Sequence, residues 1–273
     1  WNRRNEWDFA LSSKWAVVSI QRENSIFIRW INRQQPTNII DKRFNNVERS
    51  VLLPGSESVL LQFDDGLFLN RLRDDDATLQ PIAGDLGLAS DEPIVFPLAK
   101  DRTFFLVNSN ARTLTRWVIS KSEKGLTFEP TYHIPLVDEN VLDVAEHASI
   151  NLVAVMTSKG RLLLVNRVSG DVVSVQKFNH PVANIIWYGD KLYGFSDTTV
   201  SVWEGKHLSG ITTWASLFEP QHYEGYETEN TVWQTTSASD YQEAKFSLTP
   251  LLIGSIKASL LALLIAIPVA IGA

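Results

Sequence analysis

The last 23 residues, Leu251 to Ala273, hold a single charge, Lys257. A helix of that length is roughly 34 Å long and covers a bilayer core of about 30 Å. Pro250 suits the first turn, where its missing N–H costs nothing, and Thr249 before it is a cap residue. A core helix of a soluble protein would need a polar face. This segment offers only Ser255, Lys257 and Ser259, all near its start. A membrane-spanning helix is therefore expected. Gly254, Ala258, Ala262, Ala266 and Ala270 recur every four residues, a stripe of small side chains that lets a neighbouring helix backbone approach closely. Pro268 removes one backbone bond and is a candidate kink.

The rest of the chain has the opposite character. Short β-branched and aromatic runs begin at Trp15, Ser58, Arg102, Asn151 and Lys191, spaced 43, 44, 49 and 40 residues apart. Each is followed by a polar turn and a second run, a hairpin signal. A hairpin every 40 to 50 residues predicts a mainly β, propeller-like repeat of about five visible blades of four strands each. The fourth unit is written out in full, as Leu142–Ala145, Leu152–Met156, Leu162–Asn166 and Val172–Gln176. The alternative is an irregularly spaced β-sandwich. The Trp-Asp dipeptide occurs once, at Trp7-Asp8, and is not a repeated blade signature. The expected organisation is a propeller-like domain over 1–208, a connector over 209–245, and the start of a membrane core over 246–273. The connector mixes Tyr223, Tyr226, Trp233 and Tyr241 with Glu224, Glu227, Glu229, Asp240 and Glu243. Such residues suit either an interfacial belt before a membrane helix or packing against the propeller.

Composition and motifs narrow the chemistry. A net charge of −6 argues against a general nucleic-acid binder. With no cysteine there is no disulfide, thiolate metal site or thiol nucleophile. No phosphate loop, dinucleotide fingerprint, His-Glu-x-x-His or Gly-x-Ser-x-Gly is present. His133, His147, His180, His207 and His222 share no metal-ligand spacing, and Asp74-Asp75-Asp76 lacks the alternation and glycine of a calcium loop. No catalytic residue, cofactor or metal ligand is therefore expected, and the chain is read as a non-enzyme. The remaining candidate is an anion contact built from Arg71 and Arg116, with Arg73 and Arg112 nearby in sequence. The chain opens on Trp1, has no signal-like segment, and closes inside the apolar run, so it is expected to be a segment of a longer membrane protein.

Phe246–Ala273 resembles the start of the permease core of ABC importers, above all the phosphate type. The likeness rests on Pro250, Gly254, Ser255, Ser259, Leu260, Ala262, Ile265-Ala-Ile-Pro268 and Gly272. Some bacterial phosphate permeases also resemble this chain in a large β-rich insertion ending in a segment like Asn230-Thr-Val-Trp-Gln-Thr-Thr236. The resemblance implies a bacterial inner-membrane protein with its soluble domain on the periplasmic side. It implies a second permease subunit and a separate ATPase subunit as partners, and a periplasmic solute-binding protein as a docking partner. The rival expectation is a membrane-anchored propeller acting as an envelope protein-assembly scaffold.

Overall fold

A strand buried on both faces reads as a continuous apolar run rather than an alternating one, and Leu152-Val-Ala-Val-Met156 is such a run. The computed structural model describes residues 7–53, 57–73, 79–81, 94–98, 103–108, 112–122, 125–178, 182–206, 208, 212–235 and 244–272. In it, each expected hairpin is a pair of neighbouring strands in a small antiparallel sheet, the middle pair in four of the five. Blade 1 is β1 (Trp7–Leu11), β2 (Trp15–Arg22), β3 (Ser25–Asn32) and β4 (Ile39–Asn45). Blade 2 is β5 (Arg49–Leu52), β6 (Ser58–Phe63), β7 (Gly66–Arg71) and the short β8 (Gln80–Pro81). Blade 3 is β9 (Ile94–Pro97), β10 (Thr103–Asn108), β11 (Thr113–Ser122) and β12 (Gly125–Pro135). Blade 4 is β13 (Val141–Glu146), β14 (Leu152–Thr157), β15 (Arg161–Asn166) and β16 (Val172–Lys177), matching the four runs read from sequence. Blade 5 has three strands among the described residues, β17 (Asn184–Tyr188), β18 (Lys191–Phe195) and β19 (Val200–Glu204). Beyond them lie α1 (Trp214–Phe218), the two-residue strands β20 (Trp233–Gln234) and β21 (Lys245–Phe246), and the long helix α2 (Thr249–Gly272).

The fold is thus mainly β and propeller-like, with one C-terminal apolar helix of membrane-spanning length. Four hydrophobic clusters join consecutive blades. Trp15, Ile28 and Trp30 meet Leu52, Val59 and Leu61 between blades 1 and 2. Leu60 and Leu69 meet Phe104, Trp117 and Phe128 between blades 2 and 3. Phe105 and Ile134 meet Val153 and Val155 between blades 3 and 4. Ala154 and Met156 meet Ile185 and Leu192 between blades 4 and 5. β14 therefore feeds two cores, Val153 and Val155 on one face and Ala154 and Met156 on the other, which is why it is buried throughout.

Polar latches reinforce these seams. The Asp143 carboxylate on β13 accepts the N–H of Ile185 on β17 at 2.7 Å and that of Val144 at 2.8 Å. Asp8, the acidic half of the lone Trp-Asp pair, accepts backbone N–H groups of Phe9 and of Leu52 in the next blade. Burial raises both carboxyls above their ordinary value of 3.8, against the lowering effect of those N–H bonds. A raised folded-state pKa stabilises the fold below 3.8, and that contribution is lost as pH rises through the raised value. Wild type minus Asp143→Asn is therefore expected to show a larger stability difference at pH 4 than at pH 7. Urea unfolding of a chain ending near Phe246 at the two pH values checks this.

The seam between blades 3 and 4 has a tight point. Tyr132 on β12 donates its hydroxyl to the carbonyl of Arg167 at 2.8 Å, and its ring lies over Gly170. Gly170 has φ +80°, and a Cβ there would come within 2.7 Å of the ring. Gly170→Ala meets both the left-handed backbone penalty and an overpacked ring, and is expected to cost about 1–3 kcal/mol. Thermal unfolding against wild type measures it.

Candidate functional site

The connector carries the strongest structural individuality outside the blades, because it joins the propeller to the apolar helix. It begins with α1, capped by Thr213, whose hydroxyl accepts the N–H of Ser216 while the Ser216 hydroxyl accepts the N–H of Thr213. The Thr213 hydroxyl also lies 3.3 Å from that of Ser169, in the turn between β15 and β16. The chain then reverses through a bridge between Gln221 and Asn230.

The loop between them docks on blade 3. Ile119 lies on β11 just beyond Val118, the partner of the first residue of β10, and its carbonyl accepts from the loop. Gly225, at φ +80°, donates its N–H to it at 2.7 Å, and the Ser120 hydroxyl donates to the carbonyl of Tyr226 at 3.1 Å. Arg116 sits at a register break between Thr115 and Trp117 and donates to the carbonyl of His222. Farther on, the Asn151 side-chain amide donates to the carbonyl of Ala244 at 3.3 Å. Of the blade residues in these contacts, Asn151 and Ser169 lie in the β13–β14 and β15–β16 loops, Ile119 and Ser120 toward the β12 end of β11, and Arg116 at the register break within β11. These contacts place the described connector residues across blades 3 and 4, all but the Arg116 contact toward one face of the disc.

The helix starts from that platform. Ser247 donates its hydroxyl to the carbonyl of Leu217, Leu248 donates its N–H to the same carbonyl at 2.8 Å, and the Thr249 hydroxyl donates to the carbonyl of Phe218 at 3.0 Å. The free carbonyls at the end of α1 thus become the seat of the first turn of α2. Thr249, expected from sequence as a cap, is part of this clamp. Two aromatic pairs flank it, Trp214 with Phe218 at 4.3 Å and Trp233 with Phe246 at 5.8 Å. Trp214 is 72% exposed, and Trp233 and Phe246 are also exposed. Tyr223, by contrast, is buried, with the Lys245 ammonium 5.9 Å from its ring centre. The connector's aromatics therefore divide between propeller packing and an exposed collar at the root of the helix, a division the sequence pattern left open. Tyr241, Asp240 and Glu243 lie outside the described residues.

Other sequence candidates take structural positions. Arg71 is on β7 in blade 2 and its carbonyl accepts from buried Lys42. Arg116 is in blade 3 with no exposed surface, beneath the connector and 5.8 Å from the Tyr132 ring centre. Arg112 is exposed and pairs with Asp138 at 2.6 Å. The anion contact expected from Arg71 and Arg116 is thus split between blades, and its second member is sealed from solvent. His147 is buried in the loop after β13, where its Nδ1 accepts the Ser149 N–H and its ring meets Trp187 at 5.0 Å. His133 bonds Thr115. His180, His207 and Asp74–Asp76 lie outside the described residues. No group of three metal-ligating side chains forms among the described residues. The stripe Gly254, Ala258, Ala262, Ala266 and Ala270 lies on α2, which is exposed from Leu251 to Gly272.

No family model matches this chain, and no curated protein matches it. Among solved structures, the chain is similar to the β-propeller domain of Cps50 (Swd1) from Myceliophteria thermophila. The two are 12% identical, with a TM-score of 0.50 over 71% of this chain and 68% of that one. At that identity the likeness speaks for the propeller-like fold alone.

Proposed function

We propose that this propeller and helix belong to the permease of a bacterial ABC importer, most closely the phosphate type, with the propeller outside the inner membrane as a docking or regulatory domain. The observation that supports this reading is the junction. The segment resembling the permease core, 246–273, begins where Ser247, Leu248 and Thr249 grip the end of α1. A soluble domain clamped so directly to a core helix is suited to pass on, or sense, movement of that helix. The uncovered helix with its small-residue stripe calls for neighbouring helices, which a permease supplies and a lone anchor does not. The exposed aromatic pairs at its root suit the headgroup layer. In this reading the face bearing the connector lies toward the membrane, and the opposite face, with turns such as Glu23-Asn24 and Asp64-Asp65, meets the solute-binding protein. ATP is hydrolysed by a separate subunit, and the propeller performs no catalysis.

The test is to purify the intact polypeptide from membranes and measure phosphate uptake in reconstituted vesicles. The expected result is co-purification of an ATPase subunit and ATP-dependent uptake that needs the solute-binding protein. Stable recovery of envelope assembly partners with no ATPase and no uptake would overturn the reading in favour of a scaffold.

A further inference from the structure

We infer that the five blades are an open arc of a larger ring, and that about two further β-blades of the same polypeptide, from outside residues 1–273, fill the gap between blade 5 and blade 1. Each internal seam is an apolar cluster between two sheets. Among the described residues, no such cluster joins blade 5 to blade 1. Both sheets nevertheless carry an apolar face on the side turned away from their one neighbour. On blade 1 the alternate residues of β1, Trp7 at 60%, Phe9 at 57% and Leu11 at 59%, are exposed, while Ala10 packs toward blade 2. Phe9 stands opposite Val18 on β2, which is also exposed. On blade 5, Ile186 at 55%, Tyr188 at 78%, Val200 and Val202 are exposed, while Ile185 and Leu192 pack toward blade 4.

The two faces are built like the buried ones. Apolar residues occupy the inner strands, and charge appears toward the rim, as in the Arg29–Asp41 pair across β3 and β4. The latch position recurs as well. Asp8 stands two residues before Ala10, Asp143 two before Ala145, and Asn184 two before exposed Ile186. Asn184 thus holds, on the open side, the place from which Asp8 and Asp143 reach the next blade. Blade 5 also lacks a fourth strand among the described residues, leaving the outer edge of β19 for a strand from the same source. The size of the gap follows from the fold comparison. The likeness spans 71% of this chain and 68% of that propeller-domain chain, so about a third of that chain has no counterpart here. Five blades for about two thirds of a ring give about seven, within the four to eight that propellers use.

The occupant is therefore a pair of four-stranded sheets, apolar on both faces. The chain has no cysteine, so single thiols report each face cleanly. Phe9→Cys, Val202→Cys and the exposed linker control Val137→Cys are placed singly in the intact polypeptide, cleared of other cysteines, and in residues 1–273 alone. A maleimide reagent is applied to membranes or detergent samples. In the intact polypeptide the two face thiols are expected to react about tenfold or more slowly than Val137→Cys, and in residues 1–273 alone at a similar rate to it. A photo-reactive phenylalanine at position 9 is expected to cross-link within one polypeptide, to residues outside 1–273. Rapid labelling of both faces in the intact polypeptide would overturn the inference, as would a cross-link to a second copy or to a different protein.

Discussion

Arg167→Met is expected to destabilise the propeller by about 3–5 kcal/mol, the cost of leaving a buried charge without its partner. Arg167 and Glu146 form an ion pair in which each side chain is only 3% exposed. The same guanidinium donates to Asn151 at 2.6 Å, and Asn151 in turn holds the connector through Ala244. The Arg167 carbonyl receives the Tyr132 hydroxyl from blade 3. Removing the arginine charge therefore strands Glu146 and loosens Asn151 at once. Replacing both partners, as Glu146→Leu with Arg167→Met, is expected to recover much of the loss, because no orphaned charge remains. Urea unfolding of the two single variants and the double variant measures the coupling. Additive losses would show that the ion pair is not what holds this corner.

The second large effect concerns α2. Wild type is expected to stay in membranes under alkaline carbonate, and Leu261→Arg combined with Leu264→Arg to be released from them. Each arginine near a helix centre costs about 3 kcal/mol on insertion scales. Lys257 shows what is tolerated, a single charge two turns from the clamped end, where its stem can reach the interface. The same pair of substitutions placed outside the helix, at the exposed Val172 and Val175 of β16, leaves membrane partition unchanged in the expected outcome. Retention of the helix variant in carbonate-washed membranes would exclude α2 as the span.

The central hairpins of blades 2, 3 and 4 were legible because their strands are largely buried on both faces, which demands dense apolar runs such as those of β6 and β14, while those of blades 1 and 5 were marked by polar turns between β-prone runs. The flanking strands were not, except in blade 4. β4 reads Ile39-Ile-Asp-Lys-Arg-Phe-Asn45, a half-exposed edge whose polar positions hide it among loops. β8 is two residues long, too short for any period. β1 was seen as a stray Trp-Asp pair, whereas the aspartate is a latch to Leu52. The junction was partly legible. Thr249 and Pro250 marked the helix start, but its seat on α1 depends on backbone carbonyls of Leu217 and Phe218, which leave no trace in residue type. The setting of Arg116 was not legible, since it is held beneath a distant loop by a contact 106 residues away in sequence.

The connector's hold on the disc is lopsided. Among the described residues, the hydrogen bonds given above join it to blades 3 and 4. The propeller is accordingly carried like a shelf on one bracket, with the blade 1 end standing off from it. Any tilt of α2 would swing that end through a longer path than the bracket itself, so a small rocking at Thr249 becomes a large sweep at the opposite rim. A load applied at blade 1 would, by the same leverage, be felt first as torque on the seam between blades 3 and 4, where Tyr132 crosses to Arg167.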